Sequence, residues 1–176
     1  TTRSSQLYES RLLRWGSPLF HFGILAVVAG HFIGLVIPES WTHAIGITET
    51  GYHWMAVSLG VAAGFCTLVG LAILIYRRRT VGPVFSATTA NDKLMYFFLT
   101  VTILFGLANT VVGNILSSYN YRADLAVWFR GIFWLHPDPV LMTDAPFTFK
   151  AHAILAFLLF AIWPFTRLVH VFSAPV

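Results

Sequence analysis

Four long apolar stretches, each closed by charged or turn-forming residues, divide the chain. The first covers residues 17–37, SPLFHFGILAVVAGHFIGLVI, and holds no Lys, Arg, Asp or Glu. The second covers 52–76 and ends at Arg77, Arg78 and Arg79; the third covers 93–116; the fourth covers 147–174 and contains Pro164. A helix needs roughly 20 apolar residues to cross a bilayer core, so all four are long enough. Pro18 sits near the start of the first stretch, where proline is tolerated, and Pro38 follows its end. Asn91 and Asp92 offer caps for the third stretch, and Pro164 should bend the fourth. Residues 38–51 and 77–92 read as loops. Within 117–146, the segment RADLAVWFRGIFWL (122–135) mixes aromatics with Arg122 and Arg130 and reads as a helix lying at the interface. The pattern therefore predicts an all-α fold, a transmembrane bundle of four spanning helices forming a single membrane domain over 1–176.

Composition agrees. Hydrophobic residues make up 57% of the 176 and charged residues only 10%, against about 25% charged in an average soluble domain. The mean hydropathy is +0.73. The formal charge of +4 does not point to nucleic acid, because the basic residues fall at the ends of apolar segments and form no single patch. With the N-terminus placed inside, eight of the eleven Lys and Arg fall on the inner side: Arg3, Arg11, Arg14, Arg77, Arg78, Arg79, Lys93 and Arg167. Only Arg122, Arg130 and Lys150 fall outside. The positive-inside rule then puts both ends of this chain on the cytoplasmic side of the cell membrane. The polar opening and the long, Gly-bearing first run do not read as a cleavable signal. A single cysteine, Cys66, excludes an internal disulfide and any Cys-rich metal site.

Four of the seven histidines lie inside the two terminal stretches: His21 and His31 on the first, His152 and His170 on the fourth. Ionisable side chains are costly within a membrane and mark function by default. With these helices antiparallel, His21 and His170 share the inner side, and His31 and His152 the outer. Each pair can grip one flat macrocycle from opposite faces, which implies two b-type haems with saturated iron suited to electron transfer. Ten residues between His21 and His31 give a rise of ~15 Å, whereas eighteen between His152 and His170 give ~27 Å. Tilt and the Pro164 bend must absorb that mismatch. Gly30 lies beside the first pair, and small residues let a porphyrin approach closely. Lys150 and Arg167 are candidate counter-charges for haem propionates. Zinc fits less well, because the pairs are too far apart to share one tetrahedral ion. The plainer reading makes these histidines hydrogen-bonding glue between helices.

The residues that carry these features also carry a resemblance. The segments SSQ (4–6), FHFGILAVVAGHFIG (20–34), YRRR (76–79), ATT (87–89) and KAHAILAFLLFAIWPFTRLVHVFSAPV (150–176) resemble the gamma subunit of respiratory nitrate reductase, a di-haem cytochrome b. The family's usual first helix, before SSQ, and its polar tail, after APV, have no counterpart in this chain. The resemblance implies that His31 and His152 hold the outer haem and His21 and His170 the inner one. It implies quinol oxidation near the outer haem, with electrons passing to an iron–sulfur (beta) subunit and on to a molybdenum catalytic (alpha) subunit that reduces nitrate. Near the start of the second stretch, where the family's quinol site has been tied to a basic residue, this chain reads Gly51, Tyr52, His53. His53 could accept a quinol hydroxyl proton; the alternative is an interfacial histidine solvated by headgroups. Two other functions remain open on the residues: a di-haem anchor of another quinone-linked oxidoreductase (formate dehydrogenase, hydrogenase or a sulfite-linked complex), and a non-redox membrane scaffold.

Overall fold

A computed structural model describes residues 9–113, 119–166 and 168. The described chain is helical, with seven α-helices in order: α1 (Arg11–His31), α2 (Glu39–Ala44), α3 (Glu49–Thr80), α4 (Gly82–Ser86), α5 (Ala90–Ala108), α6 (Leu125–Phe133) and α7 (Phe147–Ile162). Helices α1 and α5 continue as π-helical turns over Phe32–Val36 and Asn109–Gly113. Four of these units are long and apolar enough to cross a membrane: Arg11–Val36, Glu49–Thr80, Ala90–Gly113 and Phe147–Phe165. Large apolar side chains stand on their outer surfaces, among them Phe22, Leu25, Leu59, Phe65, Phe97, Leu104 and Phe160. Small and polar side chains such as Thr67, Asp92, Thr102 and Asn109 are buried instead. That arrangement suits lipid outside and helix packing inside.

The helices pack α1 on α3, α3 on α5 and α5 on α7. Glycine makes the closest of these contacts possible. A Cβ on Gly23 of α1 would lie 2.7 Å from the backbone nitrogen of Thr67, and one on Gly16 would lie 2.7 Å from Ile73. A Cβ on Gly70 of α3 would collide with the backbone of Phe20. The Gly60/Gly64 pair faces Thr110 and Leu107 of α5. Small residues at these positions draw the helices close enough for dispersion and polar contacts, the forces available to membrane helices.

Several element ends differ from the sequence pattern. Helix α1 starts at Arg11, so Pro18 lies well inside it rather than near its start. Helix α3 starts at Glu49 and runs to Thr80, which places Arg77 to Arg79 within its last turn, a favourable position for cations. The cap of α5 is Thr89, not Asn91 or Asp92. Its hydroxyl accepts from Asp92 N–H while the Asp92 carboxylate accepts from Thr89 N–H, a reciprocal capping box. Residues 38–51 are not all loop, because α2 forms there. The segment 122–135 contains α6, as its pattern implied. The fourth stretch does not run as one helix to 174. Helix α7 ends at Ile162, a 3-10 turn spans Trp163–Phe165, and Thr166 is extended at φ −120°, ψ 172°. Pro164 thus goes beyond bending the helix; its missing N–H and ring end it.

One buried ion pair ties the start of α1 to the end of α3. Arg77, only 4% exposed, donates from Nε to the Glu9 carboxylate at 2.8 Å and from its other nitrogen to the Glu9 carbonyl at 2.7 Å. Glu9 also accepts the Leu12 N–H at 2.7 Å, satisfying a donor that the first helical turn leaves over. Desolvation pushes the Glu9 carboxyl up, but the bonds from Leu12, Arg77 and Arg11 outweigh it and hold it below its ordinary value of 4.5. A lowered folded-state value means that Glu9 stabilises fully above the unfolded value and loses that contribution as pH falls through the folded one. Wild-type protein in detergent should therefore lose thermal stability on acidification below pH ~4.5, and Glu9→Gln should flatten that acid limb. Identical acid profiles would count against this pair.

Candidate functional site

Helices α1 and α7 approach each other at two imidazoles. The rings of His31 and His152 face one another with centroids 5.9 Å apart and planes 26° apart. His31 sits at the end of α1, where its Nδ1 is 2.8 Å from the carbonyl of Val27 one turn earlier. The Nδ1 of His152 reaches across to α5 and lies 3.0 Å from the carbonyl of Thr102. A carbonyl can only accept, so both Nδ1 atoms carry the hydrogen and both Nε2 atoms carry a lone pair. That tautomer is the one a metal-ligating histidine needs. Gly106 makes the seat for His152, since a Cβ there would lie 3.0 Å from the imidazole Cε1.

The 5.9 Å between ring centres is close to the spacing of two imidazoles that would share one metal ion. Histidine nitrogen binds metals at ~2 Å, so two axial nitrogens stand ~4 Å apart and their ring centres ~6 Å apart. A Cβ on Gly30, next to His31, would meet nothing within 4 Å, so the backbone there stands open. Every residue of α7 is at least partly exposed.

The second predicted pair is half described. His21 lies on α1 with its Nδ1 2.7 Å from the carbonyl of Ser17, the same local device as His31. Its expected partner His170, and the candidate counter-charge Arg167, lie outside the described residues. Lys150 donates to the Thr143 carbonyl at 2.9 Å.

His53, near the start of α3, lines a cavity of about 60 Å³ with Glu49, Tyr52, Ala56, Asn120, Tyr121 and Arg122. This cluster was missed in the sequence because its parts come from positions about 70 to 90 residues apart. Arg122 is its centre. The guanidinium stacks 3.9 Å from the Tyr52 ring centroid and donates to Thr42 Oγ1 at 3.0 Å and to the Ile37 carbonyl at 3.4 Å. The hydroxyls of Tyr52 and Tyr121 are 3.3 Å apart and abut Gly34. Burial and the bond to Tyr52 push the Tyr121 phenol well above its ordinary value. The sequence signal was the arginine itself, a charge within an apolar connection.

A family model described as the nitrate reductase gamma subunit matches residues 1–176. The Bacillus subtilis nitrate reductase gamma chain is 41% identical over 99% of this chain and 78% of its own length. Respiratory nitrate reductase 1 gamma chain of Escherichia coli is 30% identical over 98% of this chain and 77% of its own. The nitrate reductase-like protein NarX of Mycobacterium tuberculosis is 58% identical over the full chain, which spans only 27% of that protein. Four apolar helices, with histidines inside the first and last, define a multi-pass membrane protein. With the match over its whole length, this chain belongs to the nitrate reductase gamma subunit family.

Arg122 should resist conservative replacement, because a lysine cannot both stack on Tyr52 and fork to Thr42 and Ile37. Arg122→Lys should cost about 1–3 kcal/mol and Arg122→Ala at least as much. Thermal unfolding in detergent measures both; a Lys variant as stable as wild type would show that the fork contributes nothing.

Proposed function

We propose that this chain is a di-haem cytochrome b subunit that takes electrons from quinol and passes them to an iron–sulfur partner within a nitrate reductase complex. The observation that carries the proposal is the opposed pair His31 and His152, each fixed in the ligating tautomer by a backbone carbonyl. Neutral glue histidines would turn Nε2 to a neighbouring polar group. Among the described residues neither Nε2 has a hydrogen-bond partner.

Haem, when bound, supplies a one-electron centre whose iron cycles between ferric and ferrous states. The residues do the rest. His31 and His152 would hold the outer iron, with the carbonyls of Val27 and Thr102 orienting their rings and raising their basicity. His21 and His170 would hold the inner iron. The lysine and arginine count favours an orientation with the Arg77 end inside and His31 and His53 toward the outer face. The basic inner end is the natural docking face for soluble iron–sulfur and molybdenum subunits, so electrons leave there. Quinol then enters at the other end, where His53 can accept a hydroxyl proton. Gly30 leaves the space beside His31 open, and Lys150 and Arg167 supply positive charge for propionates.

Two low-spin b haems per chain are expected, measured by pyridine hemochromogen and low-temperature EPR. One haem per chain, or a dominant high-spin signal, would sink the pairing. His152→Ala should remove the outer haem and leave at least part of the inner one. Supplied with quinol, that variant should fail to reduce its remaining haem; reduction at the wild-type rate would place quinol oxidation at the inner side.

A further inference from the structure

We propose that Glu49, His43 and Glu39 form the exit by which the protons of quinol oxidation leave the protein, fed from the cavity that Arg122 and His53 line. The inference rests on the quinol-oxidising reading above. It begins with Glu49, which occupies two places at once. It lines the cavity beside His53, Tyr52 and Tyr121. It also bonds His43 Nε2 at 2.9 Å. The same nitrogen stands 3.5 Å from the carboxylate of Glu39. Oxygen and nitrogen atoms of the three side chains all lie within 4.8 Å of one another. A continuous series of titratable groups thus joins the cavity to the surface, where His43 and Glu49 are about half exposed.

The cavity end of the series also has a distinct sign of use. Arg122 is only 4% exposed, and its Nε has no hydrogen-bond partner among the described residues. A buried charged donor left unpaired is costly. A cavity of about 60 Å³ lined by this group, two phenols, an imidazole and a carboxylate has room and partners for ordered water. Water held on Arg122 Nε–H would link His53 to Glu49.

The chemistry balances simply. One quinol loses two hydroxyl protons and two electrons and becomes quinone. The electrons would pass one at a time to the haem that His31 and His152 would hold, and the protons pass singly to the Glu49 carboxylate. From there each moves to His43 Nε2, then to Glu39 or directly to bulk water. The hydrogen bond with Glu49 holds the Glu39 carboxyl above its ordinary value, while the same bond and the one to His43 hold Glu49 below it. The charged and titratable groups that face this series are Arg122, His53, Tyr52 and Tyr121.

The test is Glu49→Gln in the assembled, membrane-embedded complex, with a short-chain quinol as donor. Turnover should fall about tenfold at neutral pH and recover as pH rises and hydroxide takes over proton removal. Glu49→Asp should restore most of the rate. Haem content and nitrate reduction driven by a reduced viologen, which needs no quinol protons, should stay at wild-type levels. Wild-type turnover and an unchanged pH profile in Glu49→Gln would overturn the exit. Absence of quinol-driven haem reduction in the wild type would instead overturn the parent reading. Added Zn²⁺ provides a second measurement that needs no Glu49 variant. It should inhibit quinol turnover of the wild type and lose that effect in His43→Gln; equal inhibition of both would also overturn the proposal.

Discussion

An imidazole inside a bilayer must satisfy its polar atoms within the protein, and the rest of this structure is arranged around that requirement. His31 and His21 bond carbonyls one turn back on their own helix. His152 uses a carbonyl of a neighbouring helix instead. The difference matters, because the Thr102 bond makes the orientation of His152 depend on how α5 and α7 pack. Gly106 permits that packing by leaving the imidazole a place to lie. Interhelical hydrogen bonds of this kind contribute about 0.6–2 kcal/mol each, so the bond sets geometry more than it sets stability.

The two ends of the bundle use their charges differently. At one end, Arg77 and Glu9 form a compact buried pair that locks α1 against α3. Arg78 there binds the Tyr96 hydroxyl and stacks on the same ring. At the other end, Arg122 faces no carboxylate within bonding distance and is held by neutral oxygens and a ring face. The first arrangement suits a rigid base. The second keeps a positive field beside a polar cavity.

The spans and the intramembrane histidines were legible because a bilayer imposes length and hydrophobicity on each helix by itself. The four long helices each overlap their apolar stretch, and His31 meets His152 as antiparallel packing of the outer helices requires. What was not legible depends on distant residues. The run from His152 to His170 was read as one helix, but the chain is already extended at Thr166, so the expected rise of that segment does not apply. Thr89 lay outside the apolar stretch and was passed over as a cap. The cavity at His53 joins α3 to the Asn120–Arg122 segment, and Thr42 on α2 meets the same arginine. No local period could reveal these meetings. Gly106 was hidden for a related reason: its role exists only where another helix presents a ring to it.

Helix α7 has an uncommon standing in this bundle. It is apolar enough to enter a membrane alone, yet no residue along it is buried by the others. It packs along α5, where His152 bonds Thr102 and Asn109 bonds the Thr148 carbonyl, and its Phe149 and Phe157 rings meet Tyr119 and Trp128. Insertion and docking are therefore separate events for this segment. Lipid accepts the helix as soon as it is synthesised, while its final seat depends on partners already in place on α5.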